Sequence, residues 1–373
     1  MGQGQRFFIP PTVHHLTENS ATLYFRLAEP TTGGEILVRQ AGDLVQTIPF
    51  SAQDVLRQQI RVEGLEPSTT YDYQVLVDGA ELPMLNDPEP WTNLQFSTPP
   101  YEWPIRVAAI GDSGFGDNMT RDIGVAYGQM DLDLFLHLGD VVYWMHQYNN
   151  DHFMNWHVKY FQPFREVFRR VPHYATYGNH EGDGPARLDG WPSYFWMFPP
   201  FDEVNHEGAR HWYSFDYNGI QFISLNSQLF YSFPDVRNAQ EAFLDEQLAR
   251  QDVRYRIVFC HIPPHTSTSV HQWDGMYLAE QWVPKFEAAN VALVLNGHAH
   301  IYERLLLNGV NYVTAGAGSN TTYGLGMRQD HSLTIYTDPS YPVLELYEDR
   351  IHLTAYQGDG AVIEDVDLAI PGL

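Results

Sequence analysis

Five short segments carry side chains that bind hard or borderline metal ions. They are Asp112-Ser113-Gly114, Gly139-Asp140-Val141-Val142-Tyr143, Gly178-Asn179-His180-Glu181, Val258-Phe259-Cys260-His261 and Gly297-His298-Ala299-His300. Their donors are carboxylate, phenol, amide oxygen and imidazole. Each segment ends or follows a short apolar run, such as Val107 to Ile110, Leu136 to Leu138, Tyr174 to Tyr177, Ile257 to Cys260 and Leu293 to Leu295. In open α/β folds, sites form outside the carboxyl ends of strands. One Gly-Asp after a strand is commonly a turn, and one Asn-His is commonly a cap. Five donor-bearing strand ends in succession point instead to one metal site. The glycines let backbone approach the ligands without an intervening Cβ. His298 and His300 are two residues apart, so extended backbone turns both rings to one face.

The elements that must position these donors fall into two stretches. Up to about Pro100 the chain reads as all-β. Ser20 to Leu27, Glu35 to Arg39 and Gln59 to Val62 alternate as strands do, and Leu65 to Val75 is a turn followed by a strand. Gly64 to Tyr73 resembles the segment of fibronectin type III domains that sets a Tyr against the sandwich edge. Phe96 to Pro100 resembles that family's closing strand and exit linker. Beyond Pro100, Ile105 to Ile110, Leu132 to Leu138, Phe222 to Leu225, Arg256 to Phe259 and Val291 to Leu295 read as buried strands. Thr120 to Met130, Phe153 to Arg169, Ala239 to Arg250 and Leu278 to Ala289 read as helices, and Leu344 to Ile363 as terminal strands or a hairpin.

The full motif set resembles the purple acid phosphatases of the calcineurin-like metallophosphoesterase superfamily: D-x-G, G-D-x-x-Y, G-N-H-(D/E), x-x-x-H and G-H-x-H are all present. Gly114 and Tyr143 carry the distinction, because most other metallophosphoesterases have Asp-x-His first and no ligand Tyr in the second motif. The resemblance implies a fold: an N-terminal all-β fibronectin type III-like sandwich over residues 1–100, then an α/β metallophosphoesterase domain over 101–373, a central β-sandwich flanked by helices. It implies Asp112, Tyr143 and His300 around Fe(III), with Asn179, His261 and His298 around a divalent Fe, Zn or Mn, and Asp140 bridging. Hard anionic donors favour a trivalent ion, and an amide with two imidazoles suits a divalent one, in agreement with that division. It further implies an acid phosphatase that hydrolyses phosphate monoesters by attack of a hydroxide activated by the binuclear centre.

His180 is the leading candidate for the leaving-group acid, with a phosphate-holding role as its alternative. His271 matches a substrate-facing position of the family; Val270 stands where plant members often carry another His. His265 in the same loop fits a structural role equally well. Glu181 is expected to support a ligand from behind. Arg304 suits either the pocket or a solvated surface. His146, His152, His157 and His173 are expected to pack or to face water. The loops 144–170, 183–210 and 317–340 are expected to set selectivity. The second holds Trp191, Tyr194, Phe195, Trp196 and Phe198, which suit self-packing better than stacking on a substrate ring.

With 21 basic against 46 acidic residues the net charge is −25, which disfavours nucleic-acid polymers and anionic membranes but not a small phosphorylated substrate beside a metal. Hydrophobic residues at 44% are enough for a real core. A single cysteine, Cys260, excludes an internal disulfide. No apolar run is long enough to span a bilayer, and no signal peptide is visible, whereas the family is commonly secreted or periplasmic. The competing functions are a phosphodiesterase or nucleotide pyrophosphatase on the same metal core and, outside catalysis, an adhesion or carbohydrate-binding protein. Oligomeric state is open.

Overall fold

The structure is a computed structural model that describes residues 5–144, 147–181, 194, 197–199, 211–231 and 234–372. The first stretch forms two antiparallel sheets. One contains β1 (Phe7–Thr17), β2 (Ser20–Leu27) and β5 (Arg57–Glu63) in the order β1-β2-β5. The other contains β3 (Gly34–Gln40), β4 (Asp43–Phe50), β6 (Thr70–Val77) and β7 (Ala80–Glu81) in the order β4-β3-β6-β7, and β8 (Leu94–Ser97) also pairs with β6. Alternation places Ile36 and Val38 of β3 and Tyr71, Tyr73, Val75 and Val77 of β6 in the core. This unit packs tightly on the second: Phe8 stacks on Phe153 at 4.8 Å, and the His14 ring lies 4.7 Å from that of His173. Arg165 pairs with Asp87 and lies over the Trp91 ring.

The second stretch holds two mixed sheets. The six-stranded sheet runs β11-β10-β9-β19-β20-β21, with β9 at Ile105–Ile110, β10 at Leu134–His137, β11 at His173–Ala175, β19 at Ser340–Leu346, β20 at Arg350–Gln357 and β21 at Val362–Ala369. The seven-stranded sheet runs β12-β13-β14-β15-β17-β16-β18. Its strands are β12 (Tyr213–Tyr217), β13 (Ile220–Leu225), β14 (Tyr255–Cys260), β15 (Leu293–Asn296), β16 (Tyr302–Leu307), β17 (Val310–Ala315) and β18 (Ser332–Tyr336). Strands β9 to β11 are mutually parallel, as are β13, β14, β15 and β17.

The apolar runs of the seven-stranded sheet are continuous because both faces are covered. Ile257, Phe259, Leu293 and Leu295 join the core that also holds Ile105, Val107 and Leu344 of the other sheet. Their neighbours Val258, Cys260 and Val294 face the opposite way and pack with Phe243, Leu244, Leu278, Trp282 and Phe286. Those residues come from the helices Pro234–Ala249, Met276–Gln281 and Val283–Ala288 and from Trp282 between the last two.

Two expected helices are broken, each at a proline. Phe153 to Arg169 is a helical turn at His152–Trp156, one π-helical turn at His157–Phe161 and a short helix at Arg165–Phe168. Pro163 has no N–H to donate and its ring opposes the carbonyl a turn earlier. Leu278 to Ala289 divides at Trp282, and Pro284 sits in the first turn of the helix that follows, where its missing N–H costs nothing.

Candidate metal centre

All five donor segments lie at carboxyl ends of parallel strands, three from one sheet and two from the other. Asp112 follows β9, Asp140 and Tyr143 follow β10, and Asn179 follows β11. His261 follows β14, and His298 and His300 follow β15. The two sheets meet there: the Gly111 N–H donates to the Ala315 carbonyl at 2.8 Å, and the His298 N–H to Asp112 Oδ2 at 2.6 Å. Asp112, Asp140 and His298 all have positive φ, at 58°, 54° and 65°. Three donor residues in left-handed backbone within one site mark local strain that the surroundings must hold.

The glycines sit where close approach leaves no room. A Cβ on Gly178 would fall 2.2 Å from the Asp140 nitrogen, and one on Gly114 would fall 2.6 Å from the Asp140 carbonyl oxygen. The D-x-G motif therefore has its glycine because the loop after β10 crosses directly over it. A histidine at 114 has no space for its side chain.

One group of donors gathers around Tyr143. Its Oη is 2.9 Å from Asp112 Oδ1 and 3.0 Å from His300 Nε2, and the last two atoms are 3.3 Å apart. The His300 Nδ1–H donates to the Thr321 carbonyl at 2.9 Å, so Nε2 presents a lone pair. Three electron-rich atoms thus converge with one proton, that of the phenol, among them. A cation fits this donor set, because it satisfies all three lone pairs at once. Burial, with Asp112 and Asp140 close by, raises the Tyr143 phenol well above its ordinary range, so only a strong positive charge can draw its proton away.

A second group gathers around His261. Its Nδ1–H donates to the Leu138 carbonyl at 2.8 Å, and its Nε2 lies 3.0 Å from Asn179 Oδ1 and 3.3 Å from Asp140 Oδ1. Asp140, His261 and His298 each offer a ligand atom, all within 4.8 Å of one another. Burial opposes a charge on His261, yet Asp140 and Asp112 overcome it and push the imidazole up to about 10. Burial likewise opposes the Asp140 charge, and His261 and His180 hold its carboxyl well below the usual carboxylate range. The His261 shift expresses the negative potential that an arriving cation meets, and the Asp140 shift keeps the carboxyl ionised.

Glu181 secures the loop that carries Asp140. Its Oε2 accepts the N–H groups of Asp140 at 2.8 Å and Gly178 at 2.7 Å, and its Oε1 those of Val141 at 2.7 Å and Val142 at 3.2 Å. Burial and the Asp140 charge push its carboxyl up to about 8. The geometry nevertheless demands the ionised form, since a protonated oxygen would set O–H against N–H.

Of the remaining predicted residues, His180 is beside the centre. Its N–H donates to Asp140 Oδ1 at 2.8 Å, its Nε2 is 3.9 Å from Asp140 Oδ2, and its half-exposed ring lies 4.3 Å from that of Tyr143. The His271 ring lies 4.0 Å from the His298 ring. His265 is elsewhere, against Tyr312 at 6.2 Å. Arg304 is neither in the pocket nor solvated. It forms a two-pronged pair with Glu364, at 2.9 and 2.8 Å, joining β16 to β21. His157 and His173 are buried away from the centre, whereas His152 is half-buried; His146 lies outside the described residues. So do Trp191, Phe195 and Trp196, while Tyr194 and Phe198 pack together at 5.2 Å and against Trp156.

Two site residues escaped the sequence reading. Asp274 Oδ2 accepts from His298 Nε2 at 2.9 Å and from His271 Nδ1 at 2.8 Å. Tyr323 stacks on His300 at 4.1 Å and 12° and lies 5.3 Å from His271. An acid three residues after a candidate substrate histidine was the available signal for Asp274; nothing local to Tyr323 distinguishes it.

The family model for the calcineurin-like phosphoesterases matches residues 105–302, just over half of the chain. The chain belongs to the calcineurin-like phosphoesterase family. Its homologues include purple acid phosphatases: purple acid phosphatase 21 of Arabidopsis thaliana is 27% identical over 310 residues, covering 78% of this chain and 62% of that protein. The chain thus spans less than two thirds of that relative's length. The structure of a purple acid phosphatase from yellow lupin (Lupinus luteus) seeds superposes with a TM-score of 0.72 at 18% identity, covering 96% of this chain and 74% of the other. A structure of PhoD gives a TM-score of 0.70 at 15% identity, covering 98% of this chain and 93% of the other. Both likenesses establish the metallophosphoesterase fold. Calcineurin-like phosphoesterases use a dimetal centre, and the donor groups around Tyr143 and His261 are candidates to hold one here. Among the described residues, no helix is long and apolar enough to cross a membrane.

Proposed function

We propose that this phosphoesterase hydrolyses phosphate monoesters at acidic pH, with Asp112, Tyr143 and His300 holding Fe(III). In this reading Asn179, His261 and His298 hold a divalent Fe, Zn or Mn, and Asp140 bridges the two. The observation that carries it is the convergence of Tyr143 Oη, Asp112 Oδ1 and His300 Nε2 within 3.3 Å, a carboxylate, a phenol oxygen and an imidazole lone pair. Two adjacent cations supply Lewis acidity toward the phosphoryl oxygens and acidify water.

The chain's own residues do the rest. The Asp140 carboxylate is fixed by His180 N–H, while Glu181 holds the loop beneath it. His180, exposed on one side, is positioned to give a proton to the departing alkoxide. His271, across the centre beside His298, holds a phosphoryl oxygen. Phe115, stacked on Tyr143 at 4.1 Å, shields one side of the phenol from water.

Residues 1–100 are proposed as a fibronectin type III-like domain that orients the catalytic domain of residues 101–373. Its two antiparallel sheets support this, as does Tyr71, whose buried Oη accepts the Glu66 N–H at 2.8 Å in the manner of a tyrosine corner. The substrate is a small phosphorylated ester. A secreted or periplasmic location follows the purple acid phosphatase relatives.

Elemental analysis of never-stripped protein, a visible spectrum and acid-pH assays with p-nitrophenyl phosphate and its bis-ester test the proposal together. Two metals per chain, one of them iron, a broad tyrosinate-to-iron band and preference for the monoester are expected. Absence of iron would remove the ferric assignment, and turnover of the bis-ester alone would replace the monoesterase by a diesterase.

A further inference from the structure

The three histidines of the centre are oriented in two different ways. His261 and His300 each donate Nδ1–H to a backbone carbonyl, of Leu138 and Thr321, and present Nε2 inward. His298 is reversed. Its Nε2 faces Asp274 Oδ2 at 2.9 Å, so Nδ1 is the nitrogen left for the group it shares with Asp140 and His261. Its backbone is also unlike the others, with φ at 65° and its N–H held by Asp112 Oδ2 at 2.6 Å. Where His261 and His300 meet a backbone carbonyl, His298 meets a side-chain carboxylate. The same oxygen accepts from His271 Nδ1 at 2.8 Å, and the side chain of Asp274 is 43% exposed.

Resting on the function proposed above, we infer that Asp274 is a positioning residue that fixes His298 as an Nδ1 ligand and ties the substrate-side His271 to it. One carboxylate oxygen holds both rings, so the geometry of the second metal and that of the phosphate-holding imidazole are set together. A partner on the far nitrogen of a ligating histidine fixes its tautomer and raises its basicity, and its loss typically weakens metal binding 10–100-fold.

The test uses full-length protein loaded with Zn2+ and challenged with a chromogenic chelator, following release of each metal equivalent. Asp274→Ala and the isosteric Asp274→Asn are compared with His271→Ala, which leaves the Asp274–His298 bond in place. In Asp274→Ala, affinity for one equivalent falls about 10–100-fold while the other is unchanged. Asp274→Asn falls in the same direction by less, and His271→Ala stays within about twofold of the parent. Unchanged release from Asp274→Ala, or equal losses from Asp274→Ala and His271→Ala, would overturn the inference. So would a third Zn2+ lost on His271→Ala, which would mean that His271, Asp274 and His298 hold an ion of their own. A parent protein that binds no pair of metals would instead sink the proposed function, which separates the two failures.

Discussion

Replacing Glu181 by Gln tests the claim that an ionised carboxylate organises the bridging loop. Gln keeps the shape and exchanges one acceptor oxygen for an NH2 group. Each oxygen of Glu181 accepts two backbone N–H groups, so either orientation of the amide loses two bonds and sets donors against donors. Bonds from N–H to a charged partner contribute about 1.5–3 kcal/mol each, so the loss is about 3–6 kcal/mol. At roughly 2 °C per kcal/mol for a large domain, the thermal midpoint falls by about 6–12 °C. Scanning calorimetry at pH 7 with metal analysis of the same samples measures it, and the variant should also hold less metal because Asp140 is carried by the released loop. If the carboxyl were protonated, as burial and Asp140 urge it to be, Gln would be a near-equivalent. A Gln variant within about 1 kcal/mol of the parent and with full metal content would refute the argument.

Four further outcomes are expected. Asp140→Asn should lose both metals and most turnover, checked by elemental analysis; normal metal content would remove its bridging role. Tyr143→Phe should abolish the visible band while leaving the fold intact by circular dichroism, and a retained band would move the ferric ligand elsewhere. His180→Ala should slow alkyl phosphates more than p-nitrophenyl phosphate; equal losses across the series would favour phosphate positioning over proton donation.

The last outcome concerns acid stability. Burial lowers His157 to about 4, and among the described residues neither of its ring nitrogens has a hydrogen-bond partner. Its folded pKa is below its unfolded one, so its contribution is complete above pH 6.5 and is lost as pH falls toward 4. Between pH 6.5 and 5 this is about 2 kcal/mol at most. His157→Leu should therefore lose less stability than the parent between pH 7 and 5 in urea titrations, and parallel losses would show His157 to be already paired or solvated.

That these donors gather in one place was legible because metal chemistry restricts residue type and strand ends restrict place. Each donor followed an apolar run, and those runs are β9, β10, β14 and β15 almost as expected. What escaped depends on contacts between distant segments. Asp274 and Tyr323 belong to loops whose meeting with the centre is set by folding: the Ser269 N–H donates to the Gly324 carbonyl at 3.0 Å and the Gln272 amide to the Met327 carbonyl at 2.7 Å. Periodicity could not show that. The hairpin of β16 and β17 carried a local signal that went unused, Asn308-Gly309 with φ of 49° and 90°, the pair that a type I′ turn requires. Hydrophobic patterning also overran prolines, and Pro163 and Pro284 break what reads as continuous amphipathic helix.

The strain at the centre and the bonds around it belong to one device. Left-handed backbone at Asp112, Asp140 and His298 costs up to about 1–3 kcal/mol apiece, less for Asp and His than for branched residues. Each is held by polar contacts of the same site. Asp112 Oδ2 takes the His298 N–H at 2.6 Å, Glu181 takes the Asp140 N–H at 2.8 Å, and the Gly139 carbonyl takes the Asp112 N–H at 3.1 Å. One strand end thus fixes the backbone of another, within the six-stranded sheet for Asp112 and Asp140 and across the two sheets for His298. Backbone groups and side chains of the protein hold the left-handed turns that present these candidate ligands. This explains why a buried glutamate that touches no substrate, and a glycine whose Cβ would strike the Asp140 loop, are as necessary to the site as the ligands.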